Sequence, residues 1–235
     1  MLQKLCRLAF ICGLTLFIAL MIWPYHDGAF RFGLPLSILT LWSTSLIFLW
    51  KRLLPRTILI ILPLLALLPF ALPGKPIDPN QLRDHYVAAM KHYEGTRYLW
   101  GGEGSRGIDC SGLPRRGLRD ALLEEGIHHG NGAAFREWAG QWWFDASAKA
   151  LGENYRGVTR SLGIKGKLRT LDTSRLAPGD LGITIDGRHV MIFLAPGEWI
   201  QADPGVWKVA IGHPATDPNP WFDAEVSMQR WVLLK

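Results

Sequence analysis

Cys110 stands in the stretch RYLWGGEGSRGIDCSGL (97–113) and is the one cysteine in the last two thirds of the sequence. A cysteine can be a buried hydrophobe, half of a disulfide, a metal ligand or a nucleophile. The residues after it predict a helix, with Asp109 as a natural N-cap. At a helix N-terminus the dipole and the free N–H groups stabilise a thiolate and can also hold an oxyanion. The position therefore suits a nucleophilic thiol.

A thiol nucleophile needs a base, and His189 is the best placed of the seven histidines. It follows the two-residue hairpin signal Asp186-Gly187 and opens the strand HVMIFL, so we expect its ring to be held at a defined strand start. Gln201, on the strand after the next turn, can present its side-chain carbonyl to the imidazole. The chain order thus offers a nucleophile, a base and a group that orients the base.

Three apolar runs precede these residues, over 8–25, 32–50 and 57–74, and each has 18 or 19 residues without a charge. A helix needs about 20 such residues to cross a bilayer, so we expect three spans within 1–74. No small-residue cleavage site follows the first run, which argues against a signal peptide. Basic residues before the first span and between the second and third place both segments in the cytoplasm. Residues 75–235 then lie outside it.

The net charge of +6 does not indicate nucleic acid as a partner. Residues 1–74 hold six basic and one acidic side chain, a net of 6 − 1 = +5, whereas residues 75–235 hold 20 basic and 19 acidic ones, a net of +1. The basic balance belongs to the membrane part, and we expect no nucleic-acid binding.

This topology limits the interpretations of Cys110. Cys6 and Cys12 lie in or beside the first span, near its cytoplasmic half, so a disulfide with Cys110 is not expected. His128 and His129 lack a partner at ligand spacing, so no metal site is predicted. A buried hydrophobe and a free reactive thiol remain.

The outer part of the sequence predicts helices followed by strands. We expect helices over 78–93, from Cys110 onward and over 131–152, the last with a stripe of aromatic residues facing the core. A polar connection leads to hairpin turns at Asp186-Gly187, Pro196-Gly197 and Pro204-Gly205, and to a last strand over 226–234. Helices followed by an antiparallel meander predict an α+β fold.

The motifs YLWGG and DCSGL, followed by LAPGDL, HVMIFL and WIQADPG, resemble those of the NlpC/P60 family of cell-wall cysteine peptidases over roughly residues 78–235. The resemblance implies a papain-like α+β domain with Cys110 as nucleophile, His189 as general base and Gln201 as the third polar residue, where histidine is usual.

The same resemblance implies that Tyr98, Asp109 and Ser111 bind the N-terminal part of the substrate. Helix capping is the alternative for Asp109 and Ser111, and packing with a hydroxyl tied to the cysteine loop is the alternative for Tyr98. Three departures leave specificity open: the long connection over 127–171, Pro114 and Gly117 in the nucleophile helix, and Arg188 before the base.

The implied substrate is the peptidoglycan stem peptide, cut between γ-D-glutamate and a diamino acid, without a metal or organic cofactor. We therefore expect a transmembrane region over 1–74 that anchors a cysteine endopeptidase domain, 75–235, on the periplasmic side of a bacterial inner membrane. Two alternatives stay open: a non-catalytic wall-binding module, and a thiol acyltransferase or hydrolase that acts on lipids.

Overall fold

The computed structural model describes residues 2–235. The chain divides into two compact units, Met1–Leu72 and Pro73–Lys235, which we call the N-terminal unit and the C-terminal unit. In its described part, the N-terminal unit consists of the helices α1 (Leu2–Ile22), α2 (Gly28–Leu49) and α3 (Leu53–Ala71). Each of these helices is long and apolar enough to cross a membrane.

The helices of the N-terminal unit are offset from the charge-free runs in the sequence. Helix α1 includes Lys4 and Arg7, because an exposed charge near a helix end does not interrupt the backbone hydrogen bonds. Helices α1 and α3 end two residues before Pro24 and Pro73, since the residue that precedes a proline disfavours helical backbone. Other prolines lie inside the helices, at Pro35, Pro63 and Pro69.

The C-terminal unit begins with the helices α4 (Pro79–His92), α5 (Gly112–His129), α6 (Gly132–Trp143) and α7 (Ala148–Gly152). Asp78 caps α4 as predicted, because its carboxylate accepts the N–H of Asn80 at 2.9 Å. The prediction of one helix over 131–152 was wrong. Phe144 adopts extended backbone, and Ser147 caps a new helix by accepting the N–H of Ala150 at 3.2 Å.

Two short strands, β1 (Glu103–Gly104) and β2 (Gly107–Ile108), form a hairpin in the glycine-rich loop before α5. A six-stranded antiparallel sheet follows, in the order β3-β8-β4-β5-β6-β7. Its strands are β3 (Thr159–Lys167), β4 (Leu181–Thr184), β5 (Val190–Ala195), β6 (Glu198–Asp203), β7 (Lys208–Gly212) and β8 (Glu225–Trp231). Helices packed on an antiparallel sheet confirm the predicted α+β class.

Strands β4 to β7 form the predicted meander. It turns at Gly187 and Gly197, whose φ angles of +70° and +80° lie in the left-handed region that glycine adopts without strain. Strand β3 falls in the stretch expected to be a polar connection, so that expectation was wrong. Its residues are polar and glycine-rich, and pairing with β8 makes the strand.

The central strands β4, β5 and β6 are buried on both faces of the sheet. Its first face packs on α4 and α5, where the core includes Tyr86, Met90 and Leu118. Gly117 allows these two helices to approach closely, because a Cβ atom there would lie 2.6 Å from Cγ of Met90. The second face carries a smaller apolar cluster, which contains Leu168, Met191, Phe193, Trp199, Phe222, Val226 and Met228.

Candidate active site

Asp109 builds the helix N-terminus beside Cys110. Its Oδ1 accepts the N–H groups of Ser111 at 2.9 Å and Gly112 at 2.6 Å, and its Oδ2 accepts the N–H of Gly101 at 2.7 Å. The hydroxyl of Ser111 also donates to Oδ1 at 2.9 Å. These contacts favour the capping interpretation of Asp109, to which the hydroxyl of Ser111 donates, and they hold the turn at Cys110, which is only 6% exposed.

Glycines let the backbone of the loop pack against the start of α5. A Cβ atom on Gly112 would lie 2.3 Å from the carbonyl oxygen of Gly102, and one on Gly102 would lie 2.4 Å from that of Gly107. These separations are shorter than any ordinary contact, so a side chain cannot fit at either position. The glycines of the motif therefore serve close backbone approach as well as turns.

The turn before β5 fixes the backbone of His189. The N–H groups of His189 and Arg188 both donate to Oγ1 of Thr184, at 3.0 and 3.1 Å. The same hydroxyl donates to Oδ1 of Asp186 at 2.7 Å. The side chain of Arg188 is exposed and pairs with Asp186 at 3.4 Å, in agreement with a solvated arginine.

Gln201 sets the tautomer of the His189 ring. Its Oε1 lies 2.6 Å from Nε2 of His189, and both side chains are buried. Because an amide oxygen only accepts hydrogen bonds, Nε2 carries the proton and Nδ1 keeps a lone pair. Within residues 2–235, Nδ1 has no hydrogen-bond partner. The ring is thus in the tautomer whose Nδ1 can accept a proton.

The fold brings Cys110 alongside the histidine turn. Sγ of Cys110 donates to the carbonyl oxygen of Arg188 at 3.7 Å, and Arg188 directly precedes His189. The backbone N–H of Val190, on the other side of His189, also acts on the thiol. The start of α5 therefore contacts the backbone on both sides of His189, at the start of β5.

Burial sets the protonation of both groups. It raises the pKa of Cys110 to about 12, and the charge of Asp109 adds to this effect. It lowers the pKa of His189 to about 4, although the charges of Asp203 and Asp186 oppose the change. Near neutral pH the pair is therefore a thiol and a neutral imidazole. The N–H groups at the helix terminus lower the pKa of the thiol as expected, but desolvation outweighs them.

Tyr98 lies close to Cys110 and is nearly buried. Its backbone N–H donates to the carbonyl oxygen of Trp207 at 2.8 Å, and the two rings meet edge-on at 6.3 Å. Burial raises the pKa of its hydroxyl, and the charges of Cys110 and Asp109 add to the rise. Among the described residues the hydroxyl has no hydrogen-bond partner, so it is not tied to the cysteine loop.

A buried ionic network lies behind the loop. Glu103 on the β1–β2 hairpin pairs with Arg115 and, at 2.9 Å, with Arg119. Arg115 is 1% exposed and also donates to the carbonyl oxygens of Gln141 at 3.0 Å and Phe144 at 3.2 Å. This network joins the loop, α5 and the end of α6, which gives Arg115 and Arg119 a structural role.

Sequence reasoning missed two residues at this site. The indole of Trp221 stacks on the imidazole of His189, with ring centroids 4.1 Å apart and an angle of 18° between the planes. Thr184 holds the turn before His189, as described above. Trp221 lies in a polar, proline-rich segment that carries no local signal of contact with β5. The sequence around Thr184 marks a hairpin but not the bonds of its hydroxyl.

A cavity of about 430 Å³ extends the site along β6 and β7. Gln201 and Trp221 form the part of its lining that touches His189. Its polar lining includes Asp203, Lys208, Asp217 and Asn219.

Several solved structures are similar to this chain. NlpC2 from Trichomonas vaginalis is 18% identical with a TM-score of 0.43, over 66% of this chain and 49% of that one. The peptidoglycan hydrolase RipB from Mycobacterium tuberculosis is 17% identical with a TM-score of 0.39, over 65% of each chain. The NlpC/P60 domain of the peptidoglycan hydrolase SagA is 23% identical with a TM-score of 0.38, over 62% of this chain and 96% of that one.

This chain covers about half the length of the two Trichomonas vaginalis proteins, NlpC1 and NlpC2. A search of curated proteins gave no match. The NlpC/P60 family model matches residues 95–217, which is more than half of the chain. The matched residues include Cys110, His189 and Gln201, and the chain belongs to the NlpC/P60 family.

Proposed function

We propose that this chain is a cysteine endopeptidase that hydrolyses peptidoglycan stem peptides. One observation carries the proposal: Gln201 contacts the Nε2 edge of His189, and the thiol of Cys110 donates to the carbonyl oxygen of Arg188, the residue directly before that histidine. A thiol beside an oriented imidazole is the arrangement that acyl transfer requires. Membership of a family of cell-wall peptidases supports peptidoglycan as the substrate.

The first half of the reaction forms a tetrahedral intermediate. Because the thiol and the imidazole are both neutral near pH 7, Cys110 loses its proton to Nδ1 of His189 as Sγ attacks the substrate carbonyl carbon. The carbonyl oxygen becomes an oxyanion. The backbone N–H of Cys110, which lies beside the reacting sulfur, is available to stabilise it.

The second half releases both products. The imidazolium of His189 gives its proton to the leaving amine, the C–N bond breaks, and the acyl group stays on Sγ. Water then attacks the thioester while Nδ1 takes up its proton. The tetrahedral intermediate collapses to a free carboxyl group, and the thiol recovers its proton. Gln201 keeps the ring oriented through both halves.

We propose the bond between γ-D-glutamate and the diamino acid as the bond that is cut. Tyr98 offers its free hydroxyl to the N-terminal part of the substrate. Asp109 and Ser111 shape the same wall of the site, chiefly by holding the start of α5 in place.

We further propose that the three apolar helices anchor the enzyme in a bacterial inner membrane, with the C-terminal unit on the periplasmic side. Their length and apolar composition support anchoring. Lys4 and Arg7 lie in the first two turns of α1, and Lys51 and Arg52 lie between α2 and α3. These basic residues support an orientation with both segments in the cytoplasm.

The deciding experiment compares the full chain in detergent with its Cys110→Ala variant on purified sacculi. We expect mass spectrometry to show new muropeptides with a free amine on the diamino acid for the wild type only. The Cys12→Ala variant, which removes an exposed cysteine of α1, is the matched control and should behave like the wild type. Identical muropeptides from wild type and Cys110→Ala would refute hydrolysis.

The same proteins separate the two alternatives. Binding to sacculi without cleavage, with a Cys110 that is inert to iodoacetamide, would indicate a wall-binding module. Transfer of an acyl group from phospholipid to Cys110 would indicate a lipid-acting enzyme.

A further inference from the structure

The His189 ring is held from two directions. Gln201 contacts its Nε2 edge, and the indole of Trp221 covers one face nearly parallel to it, at 4.1 Å and 18°. His189 is 1% exposed, whereas Trp221 is only half-buried. The indole therefore separates the imidazole from solvent on that face.

Two hydrogen bonds, through Asn219, link Trp221 to strand β6. The residue lies in a short 3-10 helix, Pro220–Asp223, and its N–H donates to Oδ1 of Asn219 at 3.0 Å. Nδ2 of Asn219 donates to Oδ2 of Asp203 at 2.6 Å. Asp203 is buried and stands two residues after Gln201 on the same strand. One strand thus positions both contacts of the imidazole.

Arg169 binds several residues of the segment 214–223, which carries Trp221. Its guanidinium donates to the carbonyl oxygens of Pro214, Asp217 at 2.8 Å and Asn219 at 3.4 Å. It also pairs with the carboxylate of Asp223 at 2.8 Å. Arg169 belongs to the long connection over 127–171, so this connection reaches the face of the sheet that bears His189.

Charged groups near His189 come from several elements. Asp203 on β6 and Asp186 in the turn before β5 act on the ring as negative charges. The Cys110 thiol, at the start of α5, contacts the carbonyl oxygen of Arg188, the residue before His189. The segment 214–223 faces the ring with an indole, which adds no charge. Loss of the indole would therefore change the solvation of the ring and leave its charged neighbours in place.

We propose that Trp221 is a positioning residue for His189 and that Arg169 holds it over the imidazole. This inference rests on the proposed function, because it assigns Trp221 a role toward the general base. The indole keeps water from one face of the ring and limits its rotation, while Gln201 fixes the edge. Neither Trp221 nor Arg169 takes part in proton transfer.

The test measures the rate at which iodoacetamide alkylates Cys110, from pH 4 to pH 9. The full chain is used in detergent, with both other cysteines replaced by serine. Water that reaches the ring in Trp221→Ala lessens its desolvation, so the pKa of His189 rises from about 4 toward 6.5. The acid limb of the rate profile then moves to higher pH. For a rise of two units, alkylation at pH 5 falls roughly tenfold.

Matched variants separate positioning from general damage. Trp221→Phe keeps an aromatic face and should restore most of the wild-type profile. Trp143→Ala removes a tryptophan from the exposed part of α6 and should leave the profile unchanged. Arg169→Gln keeps the indole but removes the guanidinium that holds the segment 214–223. We therefore expect the acid limb to shift in the same direction as in Trp221→Ala. If Trp221→Ala does not fold, Arg169→Gln decides.

An unmoved acid limb in folded Trp221→Ala, or in folded Arg169→Gln where that variant decides, would overturn the proposal. An equal shift in Trp221→Phe and Trp221→Ala would also overturn it, because the aromatic face would then be irrelevant. Alkylation needs no wall substrate. If the wild type leaves sacculi uncut while Trp221→Ala shifts the alkylation profile as expected, the peptidase function is refuted and the positioning role stands.

Discussion

The side-chain oxygen of Gln201 lies 2.6 Å from Nε2 of His189 and determines which ring nitrogen is free. In Gln201→Ala, Nε2–H loses its acceptor inside the protein, and the ring can turn or change tautomer. We expect kcat for stem-peptide hydrolysis to fall roughly a hundredfold, the size of a general-base contribution, with little change in KM. Gln201→His should retain more activity than Gln201→Ala. An unchanged kcat in Gln201→Ala would contradict this role.

Gly112 and Gly140 provide a matched pair of helical glycines. In Gly112→Ala the added methyl group meets the carbonyl oxygen of Gly102, so we expect a loss of roughly 1–3 kcal/mol in the free energy of unfolding, together with displacement of Cys110. A Cβ on Gly140, in α6, meets nothing within 4 Å, so Gly140→Ala should stabilise by up to about 1 kcal/mol. Urea unfolding followed by tryptophan fluorescence measures both. Equal effects would contradict the close approach at Gly112.

The neighbours Arg115 and Arg116 face opposite environments. Arg115→Ala leaves the buried carboxylate of Glu103 without one of its cations, and we expect a loss of roughly 3–5 kcal/mol in the free energy of unfolding. Arg116 forms a partly exposed pair with Asp120 one turn along the helix, so Arg116→Ala should cost less than about 1 kcal/mol. Denaturation midpoints compare the two variants. A larger loss in Arg116→Ala would show that the buried network does not hold the loop.

The buried imidazole of His189 makes the C-terminal unit sensitive to acid. Its pKa is about 4 in the folded chain, against about 6.5 when unfolded, so the unfolded chain binds more protons between these values. The free energy of unfolding therefore falls as the pH drops from 6.5 to 4, by up to roughly 3 kcal/mol from this group.

This acid sensitivity can be measured with urea midpoints at pH 7 and pH 4.5. The midpoint should fall more for the wild type than for His189→Gln, which has no titrating ring. His128→Gln, which removes an exposed histidine near the end of α5, should follow the wild type. If His189→Gln loses as much stability as the wild type, the acid sensitivity lies elsewhere.

Local signals were enough to predict much of the C-terminal unit. The cap at Asp78, the turns at Gly187 and Gly197, and the chain order of Cys110, His189 and Gln201 all depend on residues close to one another in the sequence. Such features follow from backbone preference and short-range hydrogen bonds.

Contacts between distant parts of the chain were not predictable in this way. Strand β3 is polar and forms because β8 lies beside it. Trp221 reaches His189 only when the sheet and the segment 214–223 come together. The net rise in the pKa of Cys110 was not predicted, because a helix terminus can be recognised in a sequence but the depth of burial cannot.

The sheet of the C-terminal unit does not present a bare edge at β7. Val209 donates to the carbonyl oxygen of Thr96 at 2.8 Å and accepts the N–H of Gly95 at 2.9 Å, so the segment leading to the cysteine loop covers this strand. The opposite edge, β3, carries Lys165 and Lys167, and edge lysines discourage pairing with a foreign strand. Many copies can therefore crowd on one surface without joining sheet to sheet, and the segment that prevents this at β7 is the one that leads into the cysteine loop.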